Sequence, residues 1–119
     1  MYLQVVYDNG SLASATYWSF AIGPETNNYT LTVSGYDGKI GGDAFDKNAG
    51  SSHFKANGQP FSTYDSDNDQ CPCSCSKERG SGWWFNYCST SFLNTDTLGS
   101  WLLNMDFHVV SSRMAISLI

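Results

Sequence analysis

Charge is scarce in this sequence of 119 residues: Asp, Glu, Lys and Arg make up 14% of it, against about 25% in ordinary globular domains. Only six residues are Lys or Arg, and they form no cluster. With a net charge of −5, the chain offers no footprint for nucleic acid or an anionic membrane. Cation binding is compatible with that balance. Histidine is also scarce. His53 and His108 stand in unrelated contexts, and no G-x-S-x-G, H-E-x-x-H or P-loop motif occurs. A thiol nucleophile from Cys71 or Cys73 paired with His108 lacks a positioned base. The sequence therefore reads as a non-enzyme. No apolar run approaches the length that crosses a bilayer. The first residues show no basic region followed by an apolar core. Internal repeats, heptads and low-complexity tracts are absent as well.

What is present is aromatic. Seven Phe, seven Tyr and four Trp supply enough apolar surface to exclude a disordered chain. The length bounds the chain to one domain with a modest core. Four cysteines in so small a domain point to an oxidising compartment, although their number does not fix their pairing. Asn28-Tyr29-Thr30 is an N-glycosylation sequon, with Asn28 as acceptor in a secreted chain.

Residues 2–7 and 13–21 read as strands joined by the turn Asp8-Asn9-Gly10-Ser11. Strict alternation puts Ser14, Thr16, Trp18 and Phe20 on one face and Ala13, Ala15, Tyr17 and Ser19 on the other. Neither face is cleanly polar, so the expected sheet is covered on both sides. Gly23-Pro24 ends the second strand. Residues 28–36 read as a third strand, with Tyr29, Leu31 and Val33 on one side. From Gly35 to Pro60 the text is loop-like, with one helical turn at 41–45 and Asp43 near its start. Residues 61–94 read as mostly irregular, and 101–110 and 113–119 as final strands. A long irregular stretch within a compact domain is usually functional.

That stretch holds the chemistry. In 61–88, FSTYDSDNDQCPCSCSKERGSGWWFNYC, Asp65, Asp67 and Asp69 alternate, as do Cys71, Cys73 and Cys75, and Cys88 closes the run. Carboxylates this close repel unless solvent or a cation intervenes. Two readings stand: a solvated acidic turn, or a Ca²⁺ loop with its hard oxygen donors. An EF-hand is excluded, because Gln70 and Ser76 fall where that loop needs glycine and glutamate. A zinc site from these cysteines with His53 is a rival, but Cys-Pro-Cys-Ser-Cys spacings are too short for the usual knuckle.

FSTYDSDND followed by CxxxxGSGWWFNYC resembles the heart of the fibrinogen C-terminal domain family, which includes the fibrinogen β and γ chain ends, ficolins, angiopoietins and tenascins. Asp8-Asn9-Gly10, Tyr17-Trp18-Ser19-Phe20, Gly23-Pro24-Glu25 and Gly42-Asp43-Ala44-Phe45 support it. The resemblance runs from about Leu3 to Leu93, is highly specific in 58–88, and loosens after Asn94. It implies an α+β fold: a twisted antiparallel sheet carrying a loop-rich calcium and ligand lobe. Residues 1–60 would form the sheet part and connecting loop, 61–98 the lobe, and 99–119 the terminal strands. The first part of the family's domain, which packs under the sheet, has no counterpart in this sequence.

The same resemblance implies a Cys75–Cys88 disulfide. It implies Ca²⁺ held by the carboxylates of Asp67 and Asp69 and the backbone carbonyls of Cys71 and Cys73, with Asp65 just outside. Cys71 and Cys73 themselves depart from the family pattern, with three fates open: a partner, free thiols, or a link to each other. The family's ligand pocket falls on Glu78, Arg79, Tyr87, Cys88 and Ser89, with Trp83 and Phe85 nearby and a cis Tyr87–Cys88 bond expected. For Trp83 and Trp84 the competing reading is burial in the core. Ser89 stands where many members carry a larger side chain, and 94–113 is short, which opens or removes one pocket wall. The implied function is secreted, calcium-dependent recognition of acetylated glycans or extracellular proteins. The alternatives are an adhesive module that calcium only stabilises, or a non-functional partial copy. Oligomerisation in the family belongs to coiled-coil or collagen segments outside this stretch.

Overall fold

The structure is a computed structural model, and it describes residues 1–40, 45, 55–88, 92, 93, 95 and 109–117. The strands are β1 (Tyr2–Tyr7), β2 (Leu12–Ile22), β3 (Leu31–Ile40) and β4 (Val109–Ala115). They form one sheet in the order β3-β2-β1-β4, antiparallel at every pairing. A short helix, α1 (Cys75–Arg79), lies in the irregular lobe.

β1 and β2 form because buried apolar residues recur at every second position, Leu3, Val5 and Tyr7 facing Ala13, Ala15 and Tyr17, and a tight turn returns the chain. In that turn Gly10 N–H donates to Tyr7 O at 2.9 Å, and the Asn9 side chain accepts from Ser11 N at 3.0 Å. The register pairs Leu3 with Ala15 and Val5 with Ala13, so these four side chains share the buried face. Tyr7, Tyr17, Leu31 and Val33 complete it. β4 runs unbroken through 111 and 112, where the sequence suggested a break between two strands, and a bulge at Val6/Tyr7 absorbs its register shift.

Two expectations about the faces are corrected. First, the alternation in β2 changes phase: Trp18 and Ser19 are both exposed, and Phe20 packs against the core instead of joining Trp18 on the far face. The cause lies across the ladder. Tyr17 pairs with Tyr36 and Ser19 with Ser34, which sets Trp18 opposite Gly35, a residue at φ +71°. A side chain there would place its Cβ 2.9 Å from the Cβ of Trp18, so only glycine fits. Second, among the described residues the far face of the sheet is not closed over: Trp18 is 74% exposed, and Tyr2 and Leu12, on the same face, are exposed as well.

β3 also begins later than expected. Glu25–Asn27 form a 3-10 turn, and Asn28 and Tyr29 both have positive φ, so Tyr29 is an exposed turn residue and not a strand neighbour of Leu31. The free edge of β3 is tied to the following loop. Asn57 Nδ2 donates to Val33 O at 3.0 Å and its Oδ1 accepts from Val33 N at 2.9 Å. Leu31 N donates to Gln59 O and Gly58 N to Leu31 O.

From the sheet an aromatic chain leads into the lobe. Tyr17 meets Phe45 edge-on at 5.1 Å, Phe45 stacks on Trp83 at 5.7 Å, and Trp83 meets Trp84 at 5.2 Å. Edge-to-face and offset contacts at such separations are favourable for aromatic quadrupoles. Phe45 is the one described residue of the expected helical turn at 41–45; the rest lies outside the described residues.

Candidate functional site

The lobe is irregular, yet many of its described backbone groups are paired. Ser62 and Trp83 exchange backbone hydrogen bonds of 2.9 and 3.1 Å, and Thr63 and Ser66 do the same at 3.0 and 3.1 Å. The second pair makes a turn whose tip is Tyr64-Asp65. Asn68 holds its base, donating from Nδ2 to Phe61 O at 2.9 Å while its N–H reaches Ser62 Oγ at 2.9 Å. Asp65 accepts from Thr63 Oγ1 at 2.6 Å within this turn, which turns it to local bonding.

Asp67 and Asp69 come next. Asp67 Oδ1 accepts from Asp69 N at 3.2 Å. Asp69 then gathers the cysteine run: Oδ1 accepts from Cys71 N at 3.0 Å and Oδ2 from Cys75 N at 2.9 Å. Partial burial pushes the Asp69 carboxyl above its ordinary range, the Asp67 carboxylate pushes the same way, and the Cys75 and Cys71 N–H groups oppose them. Each Asp69 oxygen keeps a second lone pair beyond its N–H partner. Paired carboxylates beside a tight turn with backbone carbonyls make a donor set of the kind Ca²⁺ takes. Among the described residues Asp65, Asp67 and Asp69 do not converge as a trio.

Cys75 opens α1, whose N-cap is Ser74, with Oγ accepting from Lys77 N at 3.3 Å. Gly80 at φ 66° ends the helix and donates to Ser76 O, a left-handed cap that favours glycine. The buried Ser76 hydroxyl donates to Ser81 O at 2.6 Å. Cys75 is bridged to Cys88, with their Cα atoms 5.1 Å apart. Cys71 is bridged to Cys73, Cα atoms 5.0 Å apart. The four sulfurs lie within 4.8 Å of one another. No cysteine is free, so no thiol stands ready as a nucleophile or zinc ligand while the bridges are closed; His53 and His108 lie outside the described residues.

The residues expected around a ligand pocket are partly together. Glu78 and Arg79 are exposed on α1, and the Arg79 guanidinium sits 5.6 Å over the Phe92 ring. Tyr87 is 44% exposed, whereas Cys88 is buried. Ser89 lies outside the described residues. The expected cis bond is absent: the described residues contain no cis peptide, and the backbone turns instead through Cys88 at φ 59°. Trp83 and Phe85 are buried, so they support the site from beneath and form no exposed wall. A cavity of about 500 Å³ opens on the other flank of α1, lined by Thr63, Tyr64, Asp65, Lys77, Gly80 and Gly82 among others. Sequence reasoning missed that flank, as well as Asn68 and Ser74. Ser74 was legible as a hydroxyl cap before a short helix; the role of Asn68 depends on tertiary placement.

Residues 1–106 match the profile of the C-terminal globular domain of fibrinogen beta and gamma chains. The chain belongs to the fibrinogen C-terminal domain family. The human fibrinogen gamma chain is 40% identical over 92 residues, covering 72% of this chain and 20% of that protein. Bovine angiopoietin-4 is 40% identical over 85 residues, covering 71% and 16%. The chain thus spans about a fifth of the length of these relatives. Among solved structures, the lamprey fibrin D-dimer complexed with a Gly-His-Arg-Pro-amide peptide superposes with a TM-score of 0.71 at 33% identity, over 78% of this chain and 31% of that one. The fibrinogen-like globe domain of human ANGPTL2 gives 0.64 at 31% identity, over 76% and 38%. Members of the fibrinogen C-terminal family are binding modules, not enzymes. No helix among the described residues is long and apolar enough to cross a membrane.

Proposed function

We propose that this chain is a secreted recognition module that binds a protein or peptide ligand beside a calcium-stabilised loop. The observation that carries the reading is the Asp67–Asp69 pair. Asp67 Oδ1 accepts from Asp69 N, and the Asp69 carboxylate is held by the N–H groups of Cys71 and Cys75. Such a pair is unfavourable alone and favourable around a divalent cation. Asp67, Asp69 and the carbonyls of Cys71 and Cys73 would hold Ca²⁺, which supplies a fixed charge and stiffens the loop. Glu78, Arg79, Tyr87 and the backbone of Cys88 and Ser89 are the proposed ligand surface. Similarity to a fibrin structure carrying a bound peptide favours a peptide or protein ligand. An acetylated glycan is the second reading, favoured by the exposed Tyr87 ring as a stacking surface.

Calorimetry with Ca²⁺ tests the cation; no heat, before or after refolding with Ca²⁺, removes it. Binding of Gly-His-Arg-Pro-amide in Ca²⁺ supports the peptide reading. Calcium-dependent retention on N-acetylglucosamine resin instead supports the glycan reading. Thermal stabilisation by Ca²⁺ with neither ligand bound leaves an adhesive or structural module. Urea unfolding without a cooperative transition marks a non-functional partial copy.

A further inference from the structure

The two disulfides have different standing. Cys75 is fully buried and Cys88 nearly so, whereas Cys71 and Cys73 are half-buried around an exposed Pro72. An external thiol can reach the first pair only poorly. Yet all four sulfurs lie within 4.8 Å, close to the approach that thiol–disulfide exchange needs. The Cys73 N–H also donates to Cys71 Sγ, 3.2 Å away, so the bridge is folded tightly onto its own backbone.

We propose that Cys71–Cys73 is a thiol-reactive site, and that reduction there is relayed internally to Cys75–Cys88. The co-reactant is a dithiol reductant of small-molecule or protein origin. One dithiol thiolate attacks Cys73 Sγ, the Cys71–Cys73 bond breaks, and Cys71 leaves as the thiolate. The second thiol of the reductant then displaces Cys73. The reductant is oxidised by two electrons to its disulfide; one of its protons is taken by Cys73, and the other is released from Cys71 when it attacks and is taken up by Cys88. In the relay, the Cys71 thiolate attacks Cys75 Sγ. A Cys71–Cys75 bond forms, the Cys75–Cys88 bond breaks, and Cys88 leaves as the thiolate with no net oxidation. The more accessible bridge thereby gives a reductant a route to a bond it reaches only poorly by direct attack. The steps use only the sulfurs and need no Ca²⁺, although the backbone of Cys71 and Cys73 is the part assigned to Ca²⁺ above.

Partial reduction of the native chain with one equivalent of dithiothreitol, followed by acid quench, alkylation and peptide mapping, tests this. The expected map contains alkylated Cys88 together with a bridge from Cys71 to Cys75. In a Cys71→Ser/Cys73→Ser variant, folded by circular dichroism, opening of Cys75–Cys88 should slow by at least about tenfold, because only direct attack remains. Alkylation confined to Cys71 and Cys73 until the chain unfolds overturns the relay, as does an equal rate in the variant. If the variant does not fold, the wild-type map alone decides.

Discussion

The indole N–H of Trp84 donates to the backbone carbonyl of Tyr29 at 3.0 Å, across 55 residues of sequence. It is one of a few bonds that fasten the lobe to the sheet; Phe61 N to Asn28 O, at 2.8 Å, is another. Both accept at the turn where Asn28 and Tyr29 carry positive φ, so that turn serves as a socket. Trp84→Phe keeps most of the ring, including its edge contact with Phe61 at 5.2 Å, and removes the donor. We expect a loss of about 1–2 kcal/mol in urea unfolding. A loss under a few tenths would mean that the lobe is anchored elsewhere.

The Cys75–Cys88 bridge closes a loop with a sequence separation of 13. That loop contains α1, Trp83 and Trp84, and few ladder bonds hold it. In the chain-entropy description, closing it restricts the unfolded chain by about 3 kcal/mol. Cys75→Ala/Cys88→Ala should therefore lower stability by about 2–4 kcal/mol in equilibrium unfolding. Cys71→Ala/Cys73→Ala closes a much smaller ring and should cost far less.

The parts of the fold legible in the sequence were those with local rules. β1 and β2 follow from alternation and Asn9-Gly10, and the lobe from a dense motif resemblance. Periodicity failed where one residue outweighed it. Nothing in Thr16–Phe20 announces that Trp18 faces Gly35, because strand register is a long-range fact. The start of β3 was misplaced because Asn28 is tolerant of left-handed backbone and Tyr29 usually is not, yet both adopt it. At the site, the order of carboxylates was visible. The pairing of Cys71 with Cys73 was not, since four cysteines allow several connectivities.

Tyr7 supplies a pH signature. Burial pushes its phenol above the usual value. The folded chain thus keeps this proton after the unfolded chain, titrating near 10, has lost it. The folded state binds more protons in that window, so stability falls as pH rises from about 10 through the raised value. Tyr7→Phe should flatten the alkaline slope of stability against pH. An unchanged slope would show that Tyr7 titrates alike in both states.

Asn28 is exposed and presents its sequon on a turn, with Thr30 Oγ1 donating to Asn27 O at 2.8 Å. Expression through a eukaryotic secretory route should add one glycan, read as a mass loss on treatment with a peptide N-glycosidase. Asn28→Asp tolerates the left-handed backbone and should abolish the shift without unfolding the chain. A glycan-free product from the unaltered chain would show that the site is not used.

The acidic pair makes opposite demands with and without a cation, and one substitution separates them. Asp67→Asn keeps the Oδ1 that accepts from Asp69 N at 3.2 Å and removes one of two mutually repelling charges. Without calcium, the variant should be as stable as the parent or more so, because Asp69 no longer faces a second carboxylate. With calcium, the order reverses. A site of about 10⁻⁴–10⁻³ M affinity in 10 mM Ca²⁺, the concentration chosen for the assay, stabilises by about 1.4–2.7 kcal/mol, and losing an anionic ligand should weaken binding on the order of tenfold. Thermal melts of both chains in chelator and in Ca²⁺ should therefore cross. Parallel shifts, with the variant gaining as much from Ca²⁺ as the parent, would remove Asp67 from the cation site and leave the pair as a solvated acidic turn. Asp65→Asn serves as the control: its carboxylate is engaged by Thr63 Oγ1, so its calcium response should match that of the parent.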